Sequence, residues 1–327
     1  MENLLKLLTE AFGPSGEESE VAALIEQKIR GAVDHLYTDK LGNLVAVRQG
    51  PSPRIVISAH MDEIGVIITH IDDQGFARLA PVGGVLPHQL VGQRVRLKQG
   101  RVGVVYHEKI KNLKELDWPR LYLDLGAEKQ VEEIRIGDLA VLEQPFVNAG
   151  GRFLAKAMDN RAGCAVLIEA LRRLPREIPQ ELCFVFSVQE EVGLRGARTA
   201  AYHLKPDFGL AVDVTRVGDT PKAPLMAVAL GKGAAIKVKD SSVITHPIVR
   251  QLMIDTAEQH NIPYQLEILE RGGTDAGVIH LSREGVPTGA LSIPCRYVHT
   301  PSEMVDPADL KAAVELLKKL CTSNWPV

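Results

Sequence analysis

Arg54-Ile55-Val56-Ile57-Ser58-Ala59-His60-Met61-Asp62 is the stretch on which the reading of this chain turns. Its apolar run has the length of a strand buried on both faces, and it stops abruptly at a histidine and a carboxylate two residues apart. Side chains alternate along an extended chain, so His60 and Asp62 share a side. Open α/β sheets bind ligands just beyond the carboxyl ends of their strands. This strand end therefore offers a metal-capable imidazole beside a carboxylate. Taken alone, such a pair is more often a polar turn, so the rest of the chain has to decide.

Upstream, Leu4, Leu5, Leu7, Leu8 and Phe12 form a helical stripe over residues 2–12 that Gly13-Pro14 stops. Ser15 and Glu18 have the spacing of a capping box, opening a second helix to about Arg30 with Val21, Leu24, Ile25 and Ile29 inward. Strands are expected near 33–38, 43–48 and 54–59. Downstream the texture changes. From Ile64 to about Leu142 there are short strand-like runs and no helix: Val66–Ile71, a turn at Asp72-Asp73-Gln74-Gly75, Phe76–Leu79, Arg94–Leu97, Val102–Tyr106, Leu121–Leu125 and Asp138–Leu142. Short strands with glycine-rich turns predict a small β-barrel or sandwich.

Helix-strand alternation resumes near 153. Helices are expected over 160–174, 193–204 and 246–260, from Thr274 to about Glu284, and onward from Asp306-Pro307. Leu182–Val188 and Phe208–Asp213 read as buried strands, and Pro287–Ile293 is strand-like. The expected fold is α/β: a discontinuous mixed-sheet domain over 1–64 and 152–327, interrupted by an all-β, barrel-like insertion over 65–151. Two domains in series would leave residues 1–63 without a sheet partner.

Across 327 residues, 45% hydrophobic and 24% charged content is that of an ordinary globular protein. A net charge of −3 makes no general case for nucleic acid or an anionic membrane, and no basic run or membrane-spanning apolar stretch is present. Cys164, Cys183, Cys295 and Cys321 are scattered, and three sit in apolar surroundings, which predicts buried free thiols rather than disulfides. An amphipathic start with an early acid and no cleavable apolar core points to the cytoplasm.

Four further polar features fall where strands are expected to end or in the loops beyond. Asp159 lies in Lys156-Ala-Met-Asp159-Asn160-Arg161, Glu190-Glu191 follows Leu182–Val188, Asp213 ends Phe208–Val212, and His299 follows Pro287–Ile293. Each has an innocent reading: a helix N-cap, a solvated pair, a turn cap, a structural histidine. Five such coincidences at one sheet edge are less economical than a shared metal site. Two histidines with several carboxylates suit Zn²⁺, Co²⁺ or Mn²⁺. The surplus of acids suggests two ions bridged by a carboxylate, an arrangement that activates water and clamps a hydrolytic transition state. Consecutive side chains diverge, so one of Glu190 and Glu191 ligates while the other faces water as a general base.

In these residues the chain resembles the M42 family of metalloaminopeptidases, which includes glutamyl aminopeptidases and the tetrahedral TET peptidases. The matching pieces are Ser58-Ala-His60-Met-Asp62-Glu63, Lys156 to Arg161, Val188-Gln-Glu190-Glu191-Val-Gly193, Ala211-Val-Asp213, Gly272-Gly273-Thr274-Asp275-Ala276-Gly277 and Tyr297-Val-His299-Thr-Pro301. The resemblance runs end to end, the β insertion included. It implies a binuclear-metal peptidase domain with two divalent ions per subunit. His60, Asp159 and Asp213 would hold one ion and Asp159, Glu191 and His299 the other, with Asp159 bridging. Glu190 would be the general base, passing a proton from the bridging water to the leaving amine. Asp62 would hold the other ring nitrogen of His60 and fix its tautomer.

The resemblance also implies a cis peptide bond at Asp159-Asn160 and a Gly272-Gly273-Thr274 loop beside the substrate pocket. Substrates would be short peptides with a free N-terminus. The assembly would be a homo-oligomer, often a twelve-subunit tetrahedron, with the β insertion as partner surface and pocket wall.

The remaining polar residues carry no chemistry in this reading. His35, His70, His88, His107 and His203 fall on surface elements, Asp72-Asp73 is a turn, Glu132-Glu133 a solvated pair, and His246-Pro247 a helix start. Three rivals are weighed against the aminopeptidase. A related binuclear carboxypeptidase or deacylase would use the same residues. A metal-free endoglucanase-type hydrolase needs two carboxylates about 5 to 9 Å apart across a sugar cleft; aromatic content is only 5%, with Trp118 and Trp325 away from the strand ends. A non-catalytic scaffold would have lost Glu190 or a ligand, and neither is lost.

Overall fold

The computed structural model describes residues 1–126 and 134–326. Glu132-Glu133 lies outside them.

Four parallel strands form the middle of a large mixed sheet: Glu181–Ser187, Arg54–His60, Phe208–Thr215 and Thr288–Arg296, in that spatial order. Leu44–Arg48 and His35–Thr38 extend one side antiparallel. Glu303–Val305, Arg152–Ala155 and Val147–Ala149 extend the other. Strand alternation sorts the core. Ile55, Ile57, Leu182, Phe184 and Phe186 point into the larger cluster, packed with helices Glu2–Glu10, Ser19–Ile29, Met158–Arg172 and Pro307–Leu320. Val56, Cys183 and Val185 point to the opposite face, under Ala197, Ala200, Ala201 and Leu204 of helix Arg195–Leu204. Each fully buried Val, Leu, Ile or Phe contributes about 1.5–3 kcal/mol, which is why these strands read as continuous apolar runs.

The β segment closes on itself. Gly65–Ile71, Ala77–Val82, Leu121–Asp124, Val102–His107, Arg94–Leu97 and Leu139–Leu142 form a six-stranded antiparallel barrel. Val66, Ile68, Leu79, Val95, Leu97, Val105, Leu123 and Leu142 fill it, while Val102, Val104 and Tyr106 face outward. Asp72 Oδ1 accepts from the backbone N–H of Gln74 and Phe76, making the expected turn.

Several local expectations change. The capping box at Ser15-x-x-Glu18 does not form: Ser15 Oγ donates to Asp62 Oδ2 at 2.6 Å, and helix Ser19–Ile29 starts without a side-chain cap. The barrel segment, read as helix-free, carries a short helix at Pro87–Leu90 and single 3₁₀ turns at Leu113–Glu115 and Trp118–Arg120. The helix expected from Thr274 to Glu284 is only Ala276–Ile279; a turn follows, with Ser282 N–H donating to the Ile279 carbonyl, and Arg283 (φ 54°) is left-handed. Val147–Ala149, grouped above with 65–151, pairs with Arg152–Ala155 in the large sheet. Strands Ala234–Lys239 and Tyr264–Ile268, paired in parallel, were not anticipated.

Candidate active site

The parallel strands bring their carboxyl ends to one edge. Ser187 lies beside His60 in the register, and Asp213 lies beside Ser292. Strand Arg54–His60 delivers His60, Phe208–Thr215 delivers Asp213, and the loop after Glu181–Ser187 delivers Glu190 and Glu191. His299 follows Thr288–Arg296, where Tyr297 (φ 60°) and His299 (φ 65°) are left-handed and turn the chain sharply. Asp159 sits in the non-helical first turn of Met158–Arg172, and the Asp159–Asn160 peptide bond is cis.

These five residues and Glu190 converge. His60 Nε2 lies 3.0 Å from Asp159 Oδ1, 3.6 Å from Asp213 Oδ1 and 3.9 Å from Glu190 Oε2. His299 Nε2 lies 3.4 Å from Asp159 Oδ2 and 3.3 Å from Glu191 Oε2. The two oxygens of Asp159 thus face two different imidazoles. Ligand atoms of His60, Asp159 and Glu191 lie within 4.8 Å of one another, as do those of His60, Glu190 and Asp213. That grouping puts Glu190 itself among the possible ligand positions.

Electrostatics test whether cations fit. No lysine or arginine among the described residues pairs with Asp159, Glu190, Glu191 or Asp213, and their only ion-pair partners are the two histidines. Burial would lower the proton affinity of His299, yet its bonds to Asp159 and Glu191 hold it at about 11. His60, also opposed by burial, is held far above its usual value by Glu190, Asp213 and Asp159. Burial lifts Asp213 to about 7 and Glu190 well above the carboxylate range. Asp159 is the exception: burial pushes it up, but His299 and His60 hold it below the usual range. The two imidazoles are thus the groups that answer these acids. Such a mixed nitrogen and oxygen donor set fits divalent cations.

Asp62 is held in a dense hydrogen-bonded position. Besides Ser15, its carboxylate accepts from the N–H groups of Glu190 at 3.0 Å and Glu191 at 3.1 Å. His60 Nδ1 lies 3.4 Å from Asp62 Oδ1 and 3.1 Å from its carbonyl oxygen. Glu18 accepts from Gln189 N–H at 3.0 Å, so three successive backbone donors of the loop carrying Glu190 and Glu191 are anchored.

Some supports had escaped notice. Glu303 is buried and accepts from Asp159 N–H at 2.9 Å and His299 N–H at 2.7 Å, joining two of the converging residues through one carboxylate. Gly83 and Gly84, in the loop after barrel strand Ala77–Val82, pack on Glu191 and His299; a Cβ at Gly84 would stand 2.5 Å from His299 Nδ1. Close behind lies a second buried charge cluster, in which Glu63 binds Lys156 Nζ at 2.7 and 2.8 Å and Arg161 Nη2 at 3.3 Å. Arg161 also donates to the carbonyls of Met61, Leu8 and Gly13.

All four cysteines are buried and free, as expected; Cys164 Sγ donates to the His60 carbonyl at 3.1 Å. His35, His70, His88, His107 and His203 lie outside the cavity. That cavity, about 650 Å³, opens from the His60 cluster toward Arg216, Ser241, Leu269, Arg271, Gly272 and Gly273.

Fold and site together present a buried histidine–carboxylate cluster that could hold metal ions at the edge of an α/β sheet. The profile of the M42 glutamyl aminopeptidase family matches residues 42–316, and the chain belongs to the M42 peptidase family of peptide hydrolases. It is 50% identical over 321 residues to a protein of Acetivibrio thermocellus provisionally named an aminopeptidase, covering 97% of each chain. Its fold is similar to an aminopeptidase of the archaeon Desulfurococcus kamchatkensis (TM-score 0.94, 40% identity, 98% and 94% of the two chains). It is also similar to the Pyrococcus horikoshii TET1 peptidase (TM-score 0.89, 32% identity, 98% and 99%), which can assemble into a tetrahedron or a large octahedral shell.

Proposed function

We propose that the protein is a metal-dependent aminopeptidase that removes N-terminal residues from short peptides. One observation carries the reading: a single buried carboxylate, Asp159, faces His60 with one oxygen and His299 with the other, amid acids that no lysine or arginine among the described residues pairs with. His60, Asp159 and Asp213 would hold one divalent ion and Asp159, Glu191 and His299 the second. Zn²⁺, Co²⁺ or Mn²⁺ held there would supply Lewis acidity toward water and the scissile carbonyl.

The chain's own residues do the rest. Glu190 takes the proton of the attacking water and returns it to the leaving amine, and its loop is fixed by Asp62. Asp62 faces the far nitrogen of His60 and so orients the ring toward the cluster. The acidic end of the cavity receives the substrate's free α-amino group, whose pKa is near 8, and this accounts for cleavage from the amino end.

We further infer that residues 65–151 act as an inserted unit, a reading supported by the closed barrel and by its Gly83-Gly84 loop against the site. The same reading makes the protein a homo-oligomer of the shell-forming kind, working in the cytoplasm with its four thiols free. No helix among the described residues is long and apolar enough to cross a membrane. Nucleic acid has no place in the scheme.

The deciding assay is a panel of aminoacyl p-nitroanilides, run as purified, after chelation, and after return of Co²⁺ or Zn²⁺. Turnover that chelation abolishes and metal restores is expected. Equal cleavage of N-acetylated analogues would transfer the protein to the deacylase or carboxypeptidase class, and metal-independent release from a soluble glucan would end the peptidase reading. Light scattering reads the assembly.

A further inference from the structure

The cavity wall away from His60 is assembled from three segments: Thr215-Arg216, Ser241-Ser242, and Leu269 with Arg271 to Gly273. They come from different parts of the chain, and all three are tied to one buried ammonium. Lys237, in strand Ala234–Lys239, is fully buried. Its Nζ donates to Glu267 Oε1 in the neighbouring strand Tyr264–Ile268 and lies 3.4 Å from Asp240 Oδ2.

Each partner of Lys237 governs a wall segment. Glu267, two residues before Leu269, also accepts from Thr215 Oγ1 at 2.7 Å. Asp240 Oδ1 accepts from Ser242 N–H and Oγ at 2.8 Å and from Val243 N–H at 2.9 Å, which closes the turn presenting Ser241 and Ser242. Ser241 N–H in turn donates to the Gly272 carbonyl at 3.2 Å. The joint has no slack, because a Cβ at Gly273 or Gly277 would stand 2.9 or 2.5 Å from Ser242 Oγ.

Buried ion pairs add little stability over apolar residues of similar volume, so their position calls for another explanation. None of Lys237, Asp240 and Glu267 lines the cavity or pairs with the proposed metal ligands. We infer that Lys237 is a positioning residue for substrate: its ammonium locks three segments into one wall and sets how the N-terminal residue is seated. This inference rests on the peptidase reading for its substrate, but not for its architecture.

The test compares Lys237→Met with Thr215→Val, which cuts one arm and leaves the Lys237–Glu267 pair intact. Steady-state kinetics on an aminoacyl p-nitroanilide and metal content per subunit are measured together. Lys237→Met is expected to raise KM about tenfold, the equivalent of one hydrogen bond to a charged group, with kcat and metal content nearly unchanged. Thr215→Val gives a smaller rise of the same sign, and decides alone if Lys237→Met does not fold. A fall in melting temperature with KM unchanged, or a loss of kcat and metal together, overturns the assignment. If the wild-type protein cleaves no aminoacyl substrate, the peptidase reading fails by itself. The wall is then read by amide hydrogen exchange on the better-folded variant. For Lys237→Met, faster exchange at 215–216, 241–243 and 269–273 together upholds the hub. For Thr215→Val, faster exchange at both 215–216 and 269–273 does so. Acceleration confined to the segment nearest the substitution refutes it.

Discussion

Two clusters of buried acids, one lining the cavity and one behind its wall, solve the problem of charge differently. Around Lys237, Glu267 and Asp240 are answered by an ammonium the fold provides. The same holds close to the Asp159 cluster, where Glu63 is gripped by Lys156 and Arg161. Around Asp159 the described residues offer two imidazoles and no lysine or arginine to four clustered acids. The difference suggests how to separate a structural charge cluster from a candidate ligand site: the former is answered by lysine or arginine, the latter by imidazoles that can themselves bind a cation. Burial is common to both and distinguishes nothing.

Substitutions can break that comparison. Asp159→Ala removes the carboxylate shared by both imidazoles, so loss of bound metal and of measurable turnover is expected, with a melting temperature of the metal-free protein that hardly falls. Full metal occupancy by atomic emission would break the contrast outright. Glu190→Gln is expected to keep its metal while kcat drops about 10²–10⁴-fold, the usual contribution of a general base. If metal is lost as well, Glu190 is a ligand, as its proximity to His60 and Asp213 allows. Glu63→Gln should do the reverse of Asp159→Ala. It leaves Lys156 buried and poorly paired, lowering stability by about 3–5 kcal/mol in denaturant titrations, with metal stoichiometry unchanged.

Glu303→Gln sharpens the picture, because the carboxylate reaches the cluster only through two backbone N–H groups. Metal affinity about 10–100-fold weaker, read by competition with a chromogenic chelator, is the expected size for such a support. The smallest effect on turnover belongs to Ser15→Ala. Losing its bond to Asp62 should cost about 1.5–3 kcal/mol, the scale of a hydrogen bond to a charged group, seen as a lower denaturation midpoint with kcat changed only a fewfold.

What could be read from the sequence follows from the same physics. Strand Arg54–His60 and its parallel neighbours announce themselves because burial on both faces leaves no polar alternation, and each then ends in a polar ligand type. The barrel was legible from its short runs and glycine turns. Glu303 was not, since its partners are backbone groups 144 and 4 residues away that carry no side-chain signature. Gly84 was hidden because its contribution is the absence of a side chain against His299. The Lys237 hub was hidden because Ala234–Lys239 and Tyr264–Ile268 had not been recognised as a pair. Ser15 misled for the opposite reason: its local spacing fits a helix cap, but Asp62, 47 residues on, is the stronger acceptor.

The four sulfhydryls have a practical consequence. Each is at most 1% exposed, and burial suppresses thiolate formation, pushing Cys164 and Cys183 to about 12. A maleimide dye would therefore find no native target on the folded chain. One cysteine introduced at an exposed position such as Tyr202 or Leu281 becomes a unique attachment point for fluorescence, with every natural residue of the interior left in place.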